Sequence, residues 1–173
     1  MNRTAEISIL DAKAARAAID ELADVLSDCV AGGASVNFMH PFGHSDAKQF
    51  FEKIVPIIAR GETILLGARL NGRIIGTVQL GLDTPPNQPH RADVKKLLVH
   101  RSARGRGIGA ALMRHIEAVA KKHGRTLLTL DTASAEAERL YQRGGWQRLG
   151  TIPDYALWPA GGFCDAVIFW KKL

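Results

Sequence analysis

Apolar positions recur along this chain with two periods, one typical of strands and one typical of helices. The strand-like runs lie at residues 5–10, 63–70, 73–82, 93–99, 126–130, 146–151 and 165–171. Helical spacing runs from Asp11 to Gly32, and then recurs at residues 45–56, 108–122 and 134–143. Hairpin-like runs followed by a strand–helix–strand unit predict an α/β (α+β) fold, in which helices pack on one mixed sheet.

Three local signals are specific enough to predict geometry. Asn71 and Gly72 separate two strand-like runs and favour the type I′ turn of a β-hairpin. The helix at 108–122 connects two strand-like runs, so we expect the strands at 93–99 and 126–130 to be parallel. Pro56 should kink or break the helix that contains it.

The composition fits one globular domain of residues 1–173, with 46% apolar and 23% charged residues. We expect no signal peptide, and no apolar run approaches the ~20 residues that cross a bilayer. Cys29 and Cys164 lack metal-ligand spacing, which predicts two reduced thiols in the cytoplasm and no metal site.

Positive charge is concentrated in one short window of a chain whose net charge is +6. The window contains Arg91, Lys95, Lys96, Arg101, Arg104 and Arg106. Such clustering favours one phosphate-bearing ligand over nucleic acid, because the chain has no zinc-finger spacing, no aromatic RNA-binding motif and no basic tail.

A glycine-rich turn, hereafter the glycine turn, joins a strand to a helix with the sequence Arg104-Gly105-Arg106-Gly107-Ile108-Gly109. Bare N–H groups at a helix N-terminus bind anionic oxygen, since the orphan donors and the helix dipole both favour negative charge. The two arginines add bidentate donors suited to phosphate. The sequence therefore predicts a pyrophosphate site.

Two well-known phosphate motifs fit this turn less well. A Walker P-loop requires Lys and then Ser or Thr after its second glycine, and Ala110 and Ala111 follow Gly109 instead. Gly105, Gly107 and Ala110 do satisfy the dinucleotide pattern G-x-G-x-x-A. However, that turn normally follows its strand at once and opens a long sheet, whereas this turn comes late in the chain.

Two blocks of the chain resemble the GNAT superfamily of N-acetyltransferases. Arg104, Gly107 and Gly109 fit the family pattern Q/R-x-x-G-x-G/A, and residues 137–146 look like the family's helix with a tyrosine, here Tyr141, followed by glycine and an aromatic residue. The resemblance is firm over residues 60–151. It implies a twisted, mostly antiparallel sheet of six to seven strands with about four helices, whose central parallel strands splay apart at the cofactor site.

Within the superfamily, the chain most resembles the tabtoxin-resistance acetyltransferases. Four segments carry this likeness: Gly33-Ala34-Ser35-Val36-Asn37-Phe38-Met39, His90-Arg91-Ala92-Asp93-Val94, Leu130-Asp131-Thr132 and Ile152-Pro153-Asp154-Tyr155. The likeness implies that the acceptor is a small amine, such as a tabtoxin-like β-lactam amino acid or another antibiotic.

The GNAT resemblance also implies roles around the cofactor, acetyl-CoA. Backbone N–H groups of Leu97, Leu98 and Val99 would polarise the thioester carbonyl. Tyr141 would contact the cofactor and protonate the leaving thiolate, since a phenol with a pKa near 10 keeps its proton at neutral pH. The pyrophosphate would be bound by Arg104, Gly105, Arg106, Gly107, Ile108, Gly109 and Ala110.

Two carboxylates are candidates for the base that deprotonates the amine. The resemblance implies acids at Asp93 and Asp131, and the tabtoxin-resistance group has Glu in place of Asp93, which favours a bridging water here. Alternatively, Asp131 caps the next helix and Asp93 pairs with Lys95 or Lys96. The acceptor pocket is expected to contain both acids together with Phe38, His40, Phe42 and Tyr155.

These features predict an acetyl-CoA-dependent N-acetyltransferase that acts on a primary amine by direct transfer in a ternary complex, because neither cysteine lies in a motif suited to a covalent intermediate. The alternatives are a module that binds acetyl-CoA without turnover and an NAD(P)-dependent oxidoreductase. The expected partner is the small-molecule amine, without nucleic acid or membrane, and the sequence is compatible with a homodimer.

Overall fold

The computed structural model of the protein describes residues 4–173, which form a seven-stranded sheet with helices packed on its two faces. The strands are β1 (Glu6–Leu10), β2 (Thr63–Leu70), β3 (Arg73–Gly81), β4 (Arg91–Val99), β5 (Leu127–Thr132), β6 (Gln147–Leu157) and β7 (Phe163–Lys172). The helices are α1 (Ala12–Ala17), α2 (Ile19–Ala31), α3 (His44–Ala59), α4 (Ile108–Lys122) and α5 (Ala135–Arg143), with a 3-10 turn at Arg101–Ala103.

The sheet confirms the predicted hairpin and the predicted crossover. Its strand order is β1-β2-β3-β4-β5-β7-β6, and each neighbouring pair is antiparallel except β4 and β5, which are joined through α4 and run parallel. Between β2 and β3, Asn71 has φ 53° and Gly72 has φ 81°. Both angles are positive, as a type I′ turn requires.

In the helical region before β2, the prediction of one helix after Asp11 is wrong, and so is the alternative in which Pro56 breaks its helix. The helix expected after Asp11 is broken at Ala18 (φ −101°, ψ 14°), so residues 4–173 contain five helices and not about four. Apolar spacing does not reveal this break, because Ala18 and Leu22 are buried in the same cluster. Pro56 does not end its helix, which continues to Ala59. Pro56 lies on an exposed side of α3, where water can bond to the carbonyl that proline leaves unpaired.

Strands β5 and β6 both extend beyond the last residue that the sequence pattern indicated. β5 extends to Thr132, so Asp131 lies within a strand, and the Oγ of Ser134 caps α5 by accepting a hydrogen bond from the backbone N–H of Ala137. The alternative interpretation of Asp131 as a helix cap is therefore wrong. β6 extends to Leu157 as an edge strand whose side chains are mostly exposed, so its outer part shows no apolar alternation.

Two hydrophobic clusters occupy the two faces of the sheet. On one face, α4 and α5 pack through side chains that include Leu112, Ile116, Tyr141, Trp146 and Phe169. On the other face, α1, α2 and α3 pack through a second set that includes Leu22, Leu26, Phe51, Leu65 and Leu98. Strands β2, β3 and β4 contribute side chains to both clusters, so the centre of the sheet is held from both sides.

Asp28, near the end of α2, fastens the segment that leads from β4 to the glycine turn. Its carboxylate accepts hydrogen bonds from the backbone N–H of Arg101 at 2.8 Å and from the Nε of Arg101 at 2.9 Å, and the Nε2 of His100 lies 3.6 Å away. Burial acts to raise the pKa of Asp28, but these hydrogen bonds and positive charges outweigh it and hold the pKa below its ordinary 3.8.

We expect Asp28→Asn to lower the free energy of unfolding at neutral pH by about 1–3 kcal/mol, because a charged acceptor of two hydrogen bonds becomes neutral. The pKa of Asp28 is lowered in the folded state. Its contribution is therefore complete above the unfolded-state pKa and is lost as the pH falls through the folded-state pKa. Urea unfolding of both proteins from about pH 3 to about pH 7 measures the difference. A deficit in the variant that stays constant over this range would contradict the assignment.

Candidate active site

The two parallel strands at the centre of the sheet separate after a short paired segment. β4 and β5 pair only through Arg91 with Leu127, Ala92 with Leu128, and Asp93 with Thr129. Beyond these pairs a pocket of about 370 Å³, hereafter the β4–β5 gap, is lined by Asp93, Val94, Lys95, Thr129, Leu130, Asp131 and Ile168. Beyond Asp93, the backbone N–H groups of β4 that point toward β5 therefore have no partner strand. Leu97, Leu98 and Val99 lie in this unpaired stretch of β4.

A β-bulge in β4, beside this gap, reverses which side chains of the strand face each side of the sheet. Gln79 pairs with Lys95 and Thr77 with Leu98, so one residue of β3 opposes two of β4, and Lys96 has φ 53°. Before the bulge, Val94 packs on the α4 face, and after it Leu98 packs on the α1–α3 face. The bulge thereby places the side chains of Leu97 and Val99 on the α4 face, next to the helix that begins at the glycine turn.

At Gly105 and Gly107, the backbone of the glycine turn is not covered by neighbouring side chains. Gly105 and Gly107 have φ of 75° and 74°, and no atom lies within 4 Å of the position that a Cβ would take at either residue. Gly107 precedes α4 and offers no side-chain cap, and the first helical hydrogen bond here runs from the N–H of Ala111 to the carbonyl of Gly107.

The N–H groups of Ile108, Gly109 and Ala110 consequently have no acceptor within residues 4–173. By contrast, α1 and α5 are capped by the side chains of Asp11 and Ser134. An uncapped helix N-terminus with an open, left-handed entry is suited to an anion with several oxygen atoms, as the sequence predicted for this turn.

The two arginines of the turn have different surroundings. The Nε of Arg104 donates to the carbonyl of Val99 at 3.1 Å, and its guanidinium lies 3.8 Å from the Sγ of Cys29, so this side chain holds the end of β4. Arg106 is exposed and makes no hydrogen bond or ion pair within residues 4–173. Burial raises the pKa of the Cys29 thiol, so this buried cysteine stays protonated at neutral pH.

Tyr141 lies on the inner side of α5, close to the β4–β5 gap. Its ring is 6% exposed and packs 6.0 Å from Trp146 and 5.6 Å from Phe169, measured between ring centroids. Burial and the negative charge of Asp131 raise the pKa of Tyr141 above its ordinary 10.0. The hydroxyl donates to no other group in residues 4–173, which leaves its proton available to a ligand.

The helix that carries Tyr141 approaches the glycine turn closely. A Cβ at Gly109 would lie 2.9 Å from the Cδ1 of Leu140, the residue before Tyr141. Real Cβ contacts are almost never this short. The absence of a side chain at Gly109 therefore permits the Leu140 side chain to pack against the start of α4 in this position.

The two candidate bases share the β4–β5 gap but differ in their partners. The Oδ1 of Asp93 accepts hydrogen bonds from the guanidinium of Arg91 and from the Oγ1 of Thr129. The alternative pairing of Asp93 with Lys95 or Lys96 is therefore wrong. Asp131 is exposed and has no hydrogen bond or ion pair within residues 4–173.

The residues predicted for the acceptor pocket lie in two separate places. Phe38 and Phe42 stack with centroids 4.4 Å apart in the loop between α2 and α3, and the Nζ of Lys96 lies 5.8 Å from the Phe38 centroid. His40 is exposed, and its N–H donates to the carbonyl of Pro159. Tyr155 is exposed at an irregular part of β6. None of the four lines the β4–β5 gap itself, and their roles stay predictions.

Sequence reasoning missed Arg91, Thr129 and Lys96 as parts of this site. Arg91 and Lys96 stood out only as members of the basic window, and Thr129 carried no signal. Their positions depend on which strands become neighbours and on the register between them, and a local pattern does not encode either.

The described part of the chain contains neither a membrane-spanning helix nor a cluster of metal ligands. Among residues 4–173, no helix combines the length and apolar character needed to cross a bilayer. Over the same range, no group of three or more His, Cys, Asp or Glu side chains could hold a metal ion.

Residues 19–146 match the family model described as the acetyltransferase (GNAT) family. The chain belongs to this family. The match includes both the glycine turn and Tyr141. It confirms the predicted GNAT N-acetyltransferase and its use of acetyl-CoA, and it favours this reading over the oxidoreductase alternative.

Individual relatives agree with the GNAT family. An IAA acetyltransferase from Azospirillum brasilense is 30% identical over 110 residues, which cover 62% of this chain and 70% of that protein. An N-acetyltransferase from Staphylococcus aureus Mu50 superposes with a TM-score of 0.79 at 20% identity, covering 98% of this chain and 99% of the other. A GNAT superfamily phosphinothricin acetyltransferase from Sinorhizobium meliloti, solved in complex with AcCoA, gives 0.82 at 16% identity, covering 99% and 89%. The two structures show that the fold is shared.

The residues present fit acetyl-CoA. The unpaired N–H groups of residues 108–110 and the open backbone at Gly105 and Gly107 would hold its pyrophosphate, with Arg106 free to add a donor. The unpaired backbone of β4 beyond Asp93 would face its thioester.

We expect Gly107→Ala to weaken acetyl-CoA binding about tenfold or more, a loss of about 1.4 kcal/mol, because a methyl group would fill the space where a phosphate approaches the backbone. The left-handed φ also costs an alanine about 1 kcal/mol of stability. Gly124→Ala is the matched control, since Gly124 has φ 69°, open space around it and a place at the other end of α4. Calorimetry should show an unchanged dissociation constant for the control. Equal dissociation constants for the two variants would contradict the assignment of the turn.

Proposed function

We propose that this GNAT enzyme transfers the acetyl group of acetyl-CoA to the primary amine of a small molecule, by direct attack in a ternary complex. The proposed acceptor is a tabtoxin-like β-lactam amino acid or another antibiotic amine, and residues 1–173 act as one N-acetyltransferase domain in the cytoplasm. One observation carries the chemistry: Asp131 lines the β4–β5 gap and lies close enough to Tyr141 for its charge to raise the pKa of the phenol, so a candidate base and a candidate acid are near one another.

The acceptor class draws support from a relative and from the pocket. The Sinorhizobium meliloti structure is named a phosphinothricin acetyltransferase, and it superposes over nearly the whole chain. The β4–β5 gap of this protein is small, at about 370 Å³, and the carboxylate of Asp131, which has no ion pair within residues 4–173, would attract a cationic amine. Both features fit a small amine acceptor.

Bound acetyl-CoA supplies an activated acetyl group and a thiolate leaving group. Among Leu97, Leu98 and Val99, the backbone N–H groups that point away from β3 would polarise the thioester carbonyl from the unpaired side of β4. Tyr141 keeps its proton at neutral pH and donates it, or a hydrogen bond, to the sulfur as negative charge develops there. No covalent acetyl-enzyme is needed, since Cys29 and Cys164 are both buried and Cys29 remains a thiol.

The structure favours Asp131 over Asp93 as the base. One carboxylate oxygen of Asp93 already accepts hydrogen bonds from Arg91 and Thr129, so it is less free to accept a proton from an amine or a bridging water. Asp131 has no such partner within residues 4–173 and stands at the mouth of the same gap. We therefore assign proton removal to Asp131, directly or through one water molecule, and assign Asp93 to orienting the amine.

Dimerisation stays a proposal for this chain. The edge strand β6 and its neighbour β7 expose large apolar side chains, among them Leu149, Ile152, Tyr155 and Phe163. Exposed edge strands with apolar side chains commonly pair or are covered. A second copy of the chain could cover this apolar surface, which would give a homodimer.

We expect Tyr141→Phe to lower the rate of thiol release from acetyl-CoA by about 100- to 10,000-fold, since it removes the proposed acid and leaves the ring in place. The affinity for acetyl-CoA and the melting temperature should change little, because the ring contacts with Trp146 and Phe169 persist. The measurement is a thiol assay over a panel of amines. An unchanged rate in the variant would remove Tyr141 from the chemistry.

The two carboxylates can be compared with the same substitution. We expect Asp131→Asn to lower kcat/KM by about 100-fold or more, because it removes the base. Asp93→Asn should lower kcat/KM less, with its main effect on KM. Steady-state kinetics with the best amine of the panel measures both. A larger loss in kcat for Asp93→Asn than for Asp131→Asn would reverse the assignment.

A further inference from the structure

Two opposite charges near the β4–β5 gap make no hydrogen bond or ion pair within residues 4–173. The ammonium of Lys96 makes no hydrogen bond or ion pair within residues 4–173, and the same is true of the carboxylate of Asp131. The two groups are close enough for the charge of Asp131 to act on Lys96. They nevertheless do not form an ion pair, which leaves room between them.

Lys96 occupies an unfavourable place for a lysine that has no ligand. It is the left-handed residue of the β4 bulge, with φ 53°, and it is partly buried against the ring of Phe38 at 5.8 Å. Burial and the positive charge of Lys95 lower the pKa of Lys96 to about 8, although Asp131 acts in the opposite direction. Asp131 forms no ion pair with Lys96, and burial removes part of the contact that Lys96 makes with water, so a negatively charged ligand would be stabilised here.

A second unsatisfied donor lies beside Lys96 on the same face of the sheet. The Nε2 of Gln79 is buried and has no hydrogen-bond partner in the described chain. Gln79 pairs with Lys95 across β3 and β4, and its neighbours Val78 and Leu80 face the α4 side, so Gln79 faces the α1–α3 side as Lys96 does. On this face, the ammonium of Lys96 and the Nε2 of Gln79 therefore both lack a hydrogen-bond acceptor within residues 4–173.

We propose that Lys96 binds an acid group of the acceptor, so that the acceptor is an amino acid or a similar zwitterion and not a simple amine or a polycation. The proposal rests on the proposed function, because it concerns the acceptor of that same transfer. The amine of the zwitterion would lie toward Asp131, which removes its proton, and the carboxylate toward Lys96. A polyamine would instead bring positive charge against both Lys95 and Lys96.

The test compares acceptors that differ only in the acid group. Kinetics with L-amino acids and with the corresponding L-amino acid amides gives an acid-to-amide ratio of kcat/KM for each enzyme. Comparing this ratio between enzymes cancels the different amine pKa values of acids and amides. The variants are Lys96→Met, which removes the charge at similar length, Lys96→Arg, which restores it, and Lys53→Met, which removes an exposed charge on α3 as a control.

We expect Lys96→Met to raise KM for the acids about 10- to 100-fold and to change KM for the amides little, since a hydrogen bond to a charged group is lost only with the acids. Lys96→Arg should recover most of the affinity for the acids, and Lys53→Met should match the unaltered enzyme. An equal loss for acids and amides in Lys96→Met would overturn the proposal. Acetylation of other amines without any amino acid would also overturn it, while leaving the proposed function intact.

A binding measurement keeps the proposal testable without turnover. N-acetyl-L-amino acids carry the acid group without a titrating amine, and their affinity for the coenzyme A-saturated protein is measured by calorimetry. Affinity should fall as the pH rises above about 8, because Lys96 loses its proton, and this fall should be absent in Lys96→Met. Equal binding of N-acetyl amino acids and their amides by the unaltered protein would overturn the proposal. Absence of thiol release with every amine would count against the proposed function alone.

Discussion

The early separation of β4 from β5 is the constraint on which this site depends. Only three residue pairs join the strands, and the sheet is held together beyond them by packing from both faces. Unpaired backbone donors are costly when buried, so an opening of this kind persists only where the surrounding elements are fixed independently. Asp28 and Arg104 provide that support, since each fastens the chain that follows β4.

Much of the fold follows from signals that are local in the sequence. The Asn71–Gly72 turn fixes one hairpin, and a helix between two buried strands is sufficient to predict their parallel pairing. The errors lie where solvent or packing decides the outcome. Ala18 breaks a helix without changing its buried side, and Pro56 is tolerated because the carbonyl it leaves unpaired lies on an exposed side of α3.

The site was only partly predictable for a related reason. The glycine turn and Tyr141 are visible in the sequence because their chemistry needs particular residues at fixed spacing. The Arg91–Asp93 pair and the bulge at Lys96 depend instead on strand register. Because of that register, two acids that look equivalent in the sequence have different surroundings. Asp93 forms an ion pair with Arg91, whereas the charge of Asp131 acts to raise the pKa values of Tyr141 and Lys96.

The contact between Gly109 and Leu140 links two parts of the site that sequence places about thirty residues apart. The start of α4, which is suited to an anion, contacts α5, the helix that carries the phenol, through Gly109 and the side chain of Leu140. A larger residue at 109 would first displace the Leu140 side chain, which lies one residue before the proton donor. The packing beside Tyr141 thus responds to a position that has no side-chain chemistry of its own.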